Sequence, residues 1–174
     1  MTTRIKVMVF LDGSNIFWSL RRHNLKIDFY KLVSTLVGDR FLVRPYYYSS
    51  VSVPPNQRQI AFYQALKYQG FHVVTKPLVF RQTKNQEILT EKGVDLSLAT
   101  DFLVSAFRNL YDTAILVSGD DDYAPVIDEV KRLGKTVEVA AFSSDAGSQI
   151  RNAADKFIPL ENLKDEILLE TSKE

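Results

Sequence analysis

Five aspartates stand where a polypeptide can do phosphate chemistry. Asp12 follows the apolar run at residues 4–11 and opens into Gly13-Ser14-Asn15. Asp120, Asp121 and Asp122 follow the apolar run at residues 114–118 and Gly119. Asp95 follows Lys92-Gly93-Val94 at the opening of a predicted helix. A lone aspartate in such a place serves as a helix cap, because its carboxylate accepts free first-turn amide hydrogens. Glycine beside it permits the tight turn from strand to helix. Three such stations on one predicted edge exceed what capping needs. The consecutive aspartates also repel one another unless cations or solvent relieve them. The reading is therefore a metal site. Only His23 and His72 offer side-chain imidazoles, neither at ligand spacing with the other, and there is no cysteine. Oxygen-only donors favour Mg²⁺ or Mn²⁺. Such an ion suits phosphoryl transfer: it lowers the pKa of an attacking water and stabilises the leaving oxygen. A neighbouring carboxylate can orient or deprotonate that water.

The elements that must position these acids alternate in type. Residues 4–11, 41–50, 71–75, 114–118 and 136–142 read as strands, with 157–159 as a short edge strand. Helices are predicted over 14–24, 28–37, 56–69, 94–110, 121–133 and 145–154, and a last charged one from Asn162. Ile16, Phe17 and Leu20 are expected to face the core, and Asp28, Asn56 and Asp145 to cap their helices. Residues 81–93 are polar, with a loose hairpin of 80–83 against 88–91, and read as a long functional loop. Strand–helix alternation predicts an α/β fold: a mainly parallel sheet of five or six strands with helices on both faces. Ligands in such sheets bind outside the carboxyl ends of the strands, at the switch point. Asp12 and Asp120 both fall on that edge.

The chain has 174 residues, which suits one domain. Without cysteine it has neither disulfides nor thiolate chemistry. No apolar stretch approaches a membrane span, and the first apolar run is too short for a signal peptide. The chain is read as soluble and cytoplasmic. Its net charge of +1 hides an asymmetry. Residues 1–92 hold 14 Lys and Arg against 5 Asp and Glu, and residues 93–174 hold 8 against 16. A basic surface beside an acidic pocket would suit a polyanion that must approach carboxylates.

Phe10-Leu11-Asp12-Gly13-Ser14-Asn15 resembles the first motif of NYN domains, relatives of the PIN-domain nucleases. Lys92-Gly93-Val94-Asp95 with Leu98 and Asp101 resembles their second. Ser118-Gly119-Asp120-Asp121-Asp122-Tyr123 is similar to their third, which usually reads serine-glycine-aspartate-serine-aspartate-phenylalanine. Leu133-Gly134-Lys135 and Ala154-Asp155-Lys156-Phe157 resemble later segments, and the LabA-like branch is nearest. The resemblance implies a three-layer PIN-like, Rossmann-like domain over residues 1–160, with 161–174 as a charged tail. It implies Mg²⁺- or Mn²⁺-dependent hydrolysis of RNA, and a homodimer is a frequent state of such folds. It carries over Asp12, Asp95, Asp120 and Asp122 as metal ligands or orienting acids, with Asn15 and Ser118 in support. Asp101 lies about 240° around the helix from Asp95, so it is expected behind the ligands or towards the substrate. Asp121 replaces the usual serine and is expected to face solvent.

Arg21, Arg22, Arg81, Lys84 and Lys92 lie near the predicted edge and are candidate contacts to single-stranded RNA phosphates. Tyr46, Tyr47 and Tyr48 are read as packing rather than base-stacking residues, as are Phe17 and Trp18. Two rivals stay open: a non-catalytic RNA-binding or regulatory module, and another phosphate-acting hydrolase. The aspartate-nucleophile phosphatases need a second acid two residues on, where this chain has Ser14. No Walker loop or GxSxG elbow occurs.

Overall fold

The computed structural model describes residues 4–82, 87–90 and 92–169, with side chains for all of these but 80–82 and 87–90. The sequence Lys-Val-Met-Val-Phe-Leu-Asp forms β1 (Lys6–Asp12) at the centre of a six-stranded sheet. It runs between β2 (Phe41–Val51) and β6 (Thr113–Val117), parallel to both. Beyond them lie β3 (His72–Pro77) on one side, and β7 (Thr136–Ala141) then β8 (Lys156–Pro159) on the other. The order β3-β2-β1-β6-β7-β8 reverses direction between β1 and β6, so the switch point lies where Asp12 and Ser118 end their strands. A separate antiparallel pair, β4 (Val79–Gln82) and β5 (Glu87–Thr90), matches the expected hairpin in the polar segment.

Strand parity divides the core. Val7, Val9 and Leu11 face α1 (Gly13–Arg22), α2 (Phe29–Val37) and α3 (Gln57–Tyr68). Met8 and Phe10 face α4 (Val94–Phe107), α5 (Ala124–Arg132) and α6 (Ser148–Ala153). β1 is buried along nearly its whole length, as a central parallel strand must be. Asp12 continues the parity of Met8 and Phe10, so its side chain belongs on the α4–α5 face.

The helix starts follow the capping chemistry. Asp28 accepts from the amides of Tyr30 and Lys31, and Asn56 with Gln59 forms a reciprocal capping box on α3. Asp145 is not the cap of α6. Gly147 holds that position, and the α6 amide of Ile150 is accepted by Asp121 at 2.8 Å. Asp145 instead meets Arg22 at 3.1 Å and His23 at 3.5 Å. Burial works against it, but the hydrogen bonds from Arg22 and Ser19 and the Arg22 charge hold its carboxyl below the usual range. The predicted final helix is a 3-10 turn, Leu160–Leu163, followed by the single turn α7 (Lys164–Ile167), whose Ile167 seals the α2 side of the core. No helix among the described residues is long and apolar enough to cross a membrane.

Candidate active site

The parallel register levels the ends of β1 and β6. Leu11 pairs with Val117, which sets Asp12 beside Ser118. The Asp12 carboxylate is only 3% exposed. Its Oδ1 accepts the Asn15 amide at 3.1 Å, the N-cap bond of α1. Its Oδ2 accepts the Ser118 hydroxyl at 3.1 Å and lies 3.3 Å from the Tyr123 hydroxyl. Asn15 turns its own Oδ1 to the Gly119 amide at 3.0 Å, and Ser118 Oγ accepts the Asp120 amide at 3.2 Å. The loop after β6 is thus tied to the start of α1 through side chains at the switch point. Two glycines make this approach possible. A Cβ on Gly13 would fall 2.5 Å from the Tyr47 ring and the Tyr48 carbonyl, and one on Gly119 would fall 2.7 Å from the Asp145 carbonyl.

Asp95 enters from the first turn of α4, and its Oδ1 is also 3.3 Å from the Tyr123 hydroxyl. One phenol therefore stands between two carboxylates, with a single proton to donate. Asp120 caps the 3-10 turn Asp121–Tyr123 through Oδ1 on the Asp122 amide at 3.0 Å. The four acids grade from buried to open: Asp12 is buried, Asp120 half-buried, Asp95 and Asp122 exposed. They feel one another. Burial is the main cause that raises the Asp12 pKa to about 6, and the Asp95 charge adds to it against the hydrogen bonds that lower it. Partial burial raises the Asp95 pKa, the Tyr123 bond opposes this, and Asp120 and Asp122 push it further up. Burial and then the charges of Asp12 and Asp95 push the Tyr123 phenol far up, so it stays a proton donor.

Such a pocket is short of positive charge. Its donors are carboxylates and hydroxyls, the set that Mg²⁺ and Mn²⁺ prefer. Among the described residues no three acidic or imidazole side chains come close enough to share one ion directly. That spacing fits a cation that keeps several waters and takes one or two carboxylates plus substrate phosphate, as Mg²⁺ does. On these grounds the residues fit the group.

The structure brings Asp12, Asp95, Asp120, Asp122, Asn15 and Ser118 to one edge. It sets Asp101 apart: its Oδ2 accepts the Tyr48 hydroxyl at 2.9 Å, fixing a fully buried tyrosine of β2. Asp121 does not face solvent, because its carboxylate caps α6 as described and packs where a Cβ on Gly147 would clash. Arg22 is held by Asp145 and Ser19, whereas Arg21 and Lys92 are exposed. Lys84 lies outside the described residues, as does the side chain of Arg81. Tyr47 and Tyr48 are buried and Tyr46 half-buried, stacked at 5.5 Å on Phe10, which is the packing role expected. Phe17 and Trp18 are 52% and 54% exposed, contrary to a core role; Ile16 and Ser19 take the buried face of α1. The residue missed by sequence reasoning is Tyr123. Its signal was a tyrosine where the motif usually ends in phenylalanine.

A parallel α/β sheet with carboxylates at its switch point is the plan of the PIN-like nuclease superfamily. Within it the chain belongs to the NYN domain family, whose model matches residues 6–161. It is 24% identical over 163 residues to the low amplitude and bright protein LabA of Synechococcus elongatus, across 91% of this chain and 86% of that protein. The fold is shared with the crystal structure of a protein of unknown function from Vibrio parahaemolyticus. That match has a TM-score of 0.79 at 22% identity, and covers 97% of this chain and 99% of the other.

Proposed function

We propose that this chain is a metal-dependent endoribonuclease that hydrolyses phosphodiester bonds of single-stranded RNA. The observation that carries the reading is the buried Asp12, raised to a pKa of about 6 beside Asp95 at the switch point of a NYN domain. Of Asp12, Asp95, Asp120 and Asp122, one or two would hold Mg²⁺ or Mn²⁺ directly and the others would orient its waters. When bound, the ion supplies charge for the scissile phosphate and an attacking water of lowered pKa.

The remaining work belongs to the chain's own side chains. Ser118 and the Asn15 amide fix the Asp12 carboxylate in one orientation. Tyr123 donates its proton to Asp12 or to Asp95, which lessens the repulsion between them before substrate arrives. Asp95 and Asp122, on the open side, are the acids available to orient a water against the phosphate. Arg21 and Lys92, both exposed, are phosphate contacts of the sequence-independent kind.

The rival reading is an RNA-binding module without catalysis, and the spread of the four acids favours it. One assay separates the two. Labelled single-stranded RNA is incubated with the protein and Mn²⁺ or Mg²⁺, beside an EDTA control and the Asp120→Asn variant. Cleavage that needs the metal and Asp120 supports the nuclease. RNA bound but uncut under every condition would sink it and leave the binding module.

A further inference from the structure

Beside the acidic pocket runs a second depression that the proposed chemistry does not use. It encloses about 590 Å³, a size suited to a small organic ligand. Its wall begins at Gly13 and Ser14, the two residues after Asp12, and its floor is Tyr47, whose phenol lies within the field of the Asp12 charge. The groove therefore starts one residue beyond Asp12, on the α1–α3 face of the sheet. Beside Tyr47, five more aromatic rings line it: Phe17 and Trp18 from α1, Phe29 from α2, and Phe62 and Tyr63 from α3. Phe17 and Trp18 are half-exposed, meeting edge to face at 5.4 Å. Arg21 lies over both rings at 5.7 Å, and Arg58 lines the groove from α3. A third feature is polar. The Tyr63 hydroxyl lies 3.3 Å from the Ser49 hydroxyl and 3.4 Å from the Ser50 carbonyl, and all three residues line the groove.

We propose that this groove is a nucleobase subsite, which seats an unpaired base of the RNA strand whose phosphate lies at Asp12. The inference rests on the nuclease reading and adds what that reading lacks: the reason the strand must be single. A base offers a flat π-face for Trp18 and Phe17, and an edge with donors and acceptors for the Ser49 and Tyr63 hydroxyls. The phosphates on either side of that base meet Arg21 and Arg58. A duplex hides both the faces and the edges of its bases, so it cannot fill the groove. A purely apolar partner would leave the arginines without counter-charge.

The protein reports on its own groove, because Trp18 is the sole tryptophan. The test uses the full chain in EDTA, so that nothing is cut, and follows Trp18 emission as decaadenylate is added. An abasic ribose-phosphate decamer and an RNA hairpin duplex serve as comparisons. Affinities of Trp18→Ala and Trp18→Phe come from the anisotropy of labelled decaadenylate. Trp18 is half-exposed, so its replacement leaves the core intact, and Trp18→Phe retains a stacking face. Decaadenylate is expected to quench Trp18, and the abasic decamer and duplex to leave it unchanged. Trp18→Ala is expected to weaken binding by roughly 10- to 100-fold. Trp18→Phe is expected to stay within about 3-fold of wild type. With Mn²⁺ present, the Trp18→Ala loss should appear in the RNA concentration that gives half-maximal cleavage. Decaadenylate that binds tightly without quenching Trp18, with Trp18→Ala binding equally well, would overturn the subsite while leaving the nuclease intact. A dimer that Trp18→Ala dissolves, with RNA affinity unchanged, would give the face to a second copy and also overturn it. A wild-type chain that neither binds nor cuts RNA would remove both readings.

Discussion

The two regions on either side of the β1–α1 turn are built on opposite principles. On the α4–α5 side, two carboxylates share one phenol within the field of Asp120 and Asp122, and the chain accepts their repulsion. On the α1–α3 side, rings line a groove with arginines at hand. The first region costs stability through like-charge repulsion; the second costs little and offers contact area. Chemistry and affinity are thus placed in different side chains a few residues apart, and substitutions should separate them.

The largest separation is expected from the acids. Asp12→Asn or Asp120→Asn should lower the rate of metal-dependent RNA cleavage at saturating RNA by roughly 10²–10³-fold or more, with RNA still bound. Cleavage time courses beside anisotropy titrations would check this. Tyr123→Phe should come next. It removes the one proton shared by Asp12 and Asp95, and a loss of about 10- to 100-fold is expected, the scale of a group that orients ligands. The hydrogen bond from Tyr123 lowers the Asp12 pKa, so the acid limb of the rate profile should also move to higher pH in this variant. A profile that keeps its midpoint would deny Tyr123 that role.

Asp121 lies outside the contrast, although it sits within the aspartate run. Because its carboxylate caps α6, Asp121→Ala should cost about 0.5–2 kcal/mol of stability. That corresponds to a Tm lower by roughly 1–8 °C. Unchanged melting would place its role elsewhere.

The smallest effect has an unusual sign. The folded Asp12 pKa of about 6 exceeds its reference of 3.8, so the folded state binds the proton more tightly than the unfolded one. The stability this contributes is complete below about pH 4 and is lost as pH rises through about 6, on the order of 3 kcal/mol at most. Metal-free Asp12→Asn should therefore melt about 2–6 °C above wild type at pH 8, and the gap should narrow towards pH 4. Added Mn²⁺ should raise the wild-type Tm more than that of the variant. A variant less stable at pH 8 would show that the Asp12 hydrogen bonds outweigh the burial of its charge.

Much of this was legible in the residues, for physical reasons. Apolar runs that end in aspartate, alternating with helical periods, dictate a parallel sheet with acids on one edge. β1, β6 and the capped starts of α2 and α3 followed directly from such local chemistry. Long-range pairing was not legible. Asp121 caps a helix 29 residues away, and Asp145 finds Arg22 rather than its own helix, because both partners come from other parts of the chain. Phe17 looked like core because it is large and apolar, yet it sits one residue from Ile16, about 100° around the helix, and the sheet takes only the Ile16 side. Tyr123 was visible as a departure from a motif, but only the fold shows its hydroxyl between Asp12 and Asp95.

The most direct test is single-turnover cleavage of labelled single-stranded RNA with Mn²⁺, comparing wild type, Asp12→Asn and an EDTA control, each with its RNA affinity measured in parallel. The account predicts cutting by wild type that EDTA abolishes, and an Asp12→Asn protein that binds RNA within about 3-fold of wild type yet cuts at least ~100-fold more slowly. Equal cutting by Asp12→Asn would contradict it.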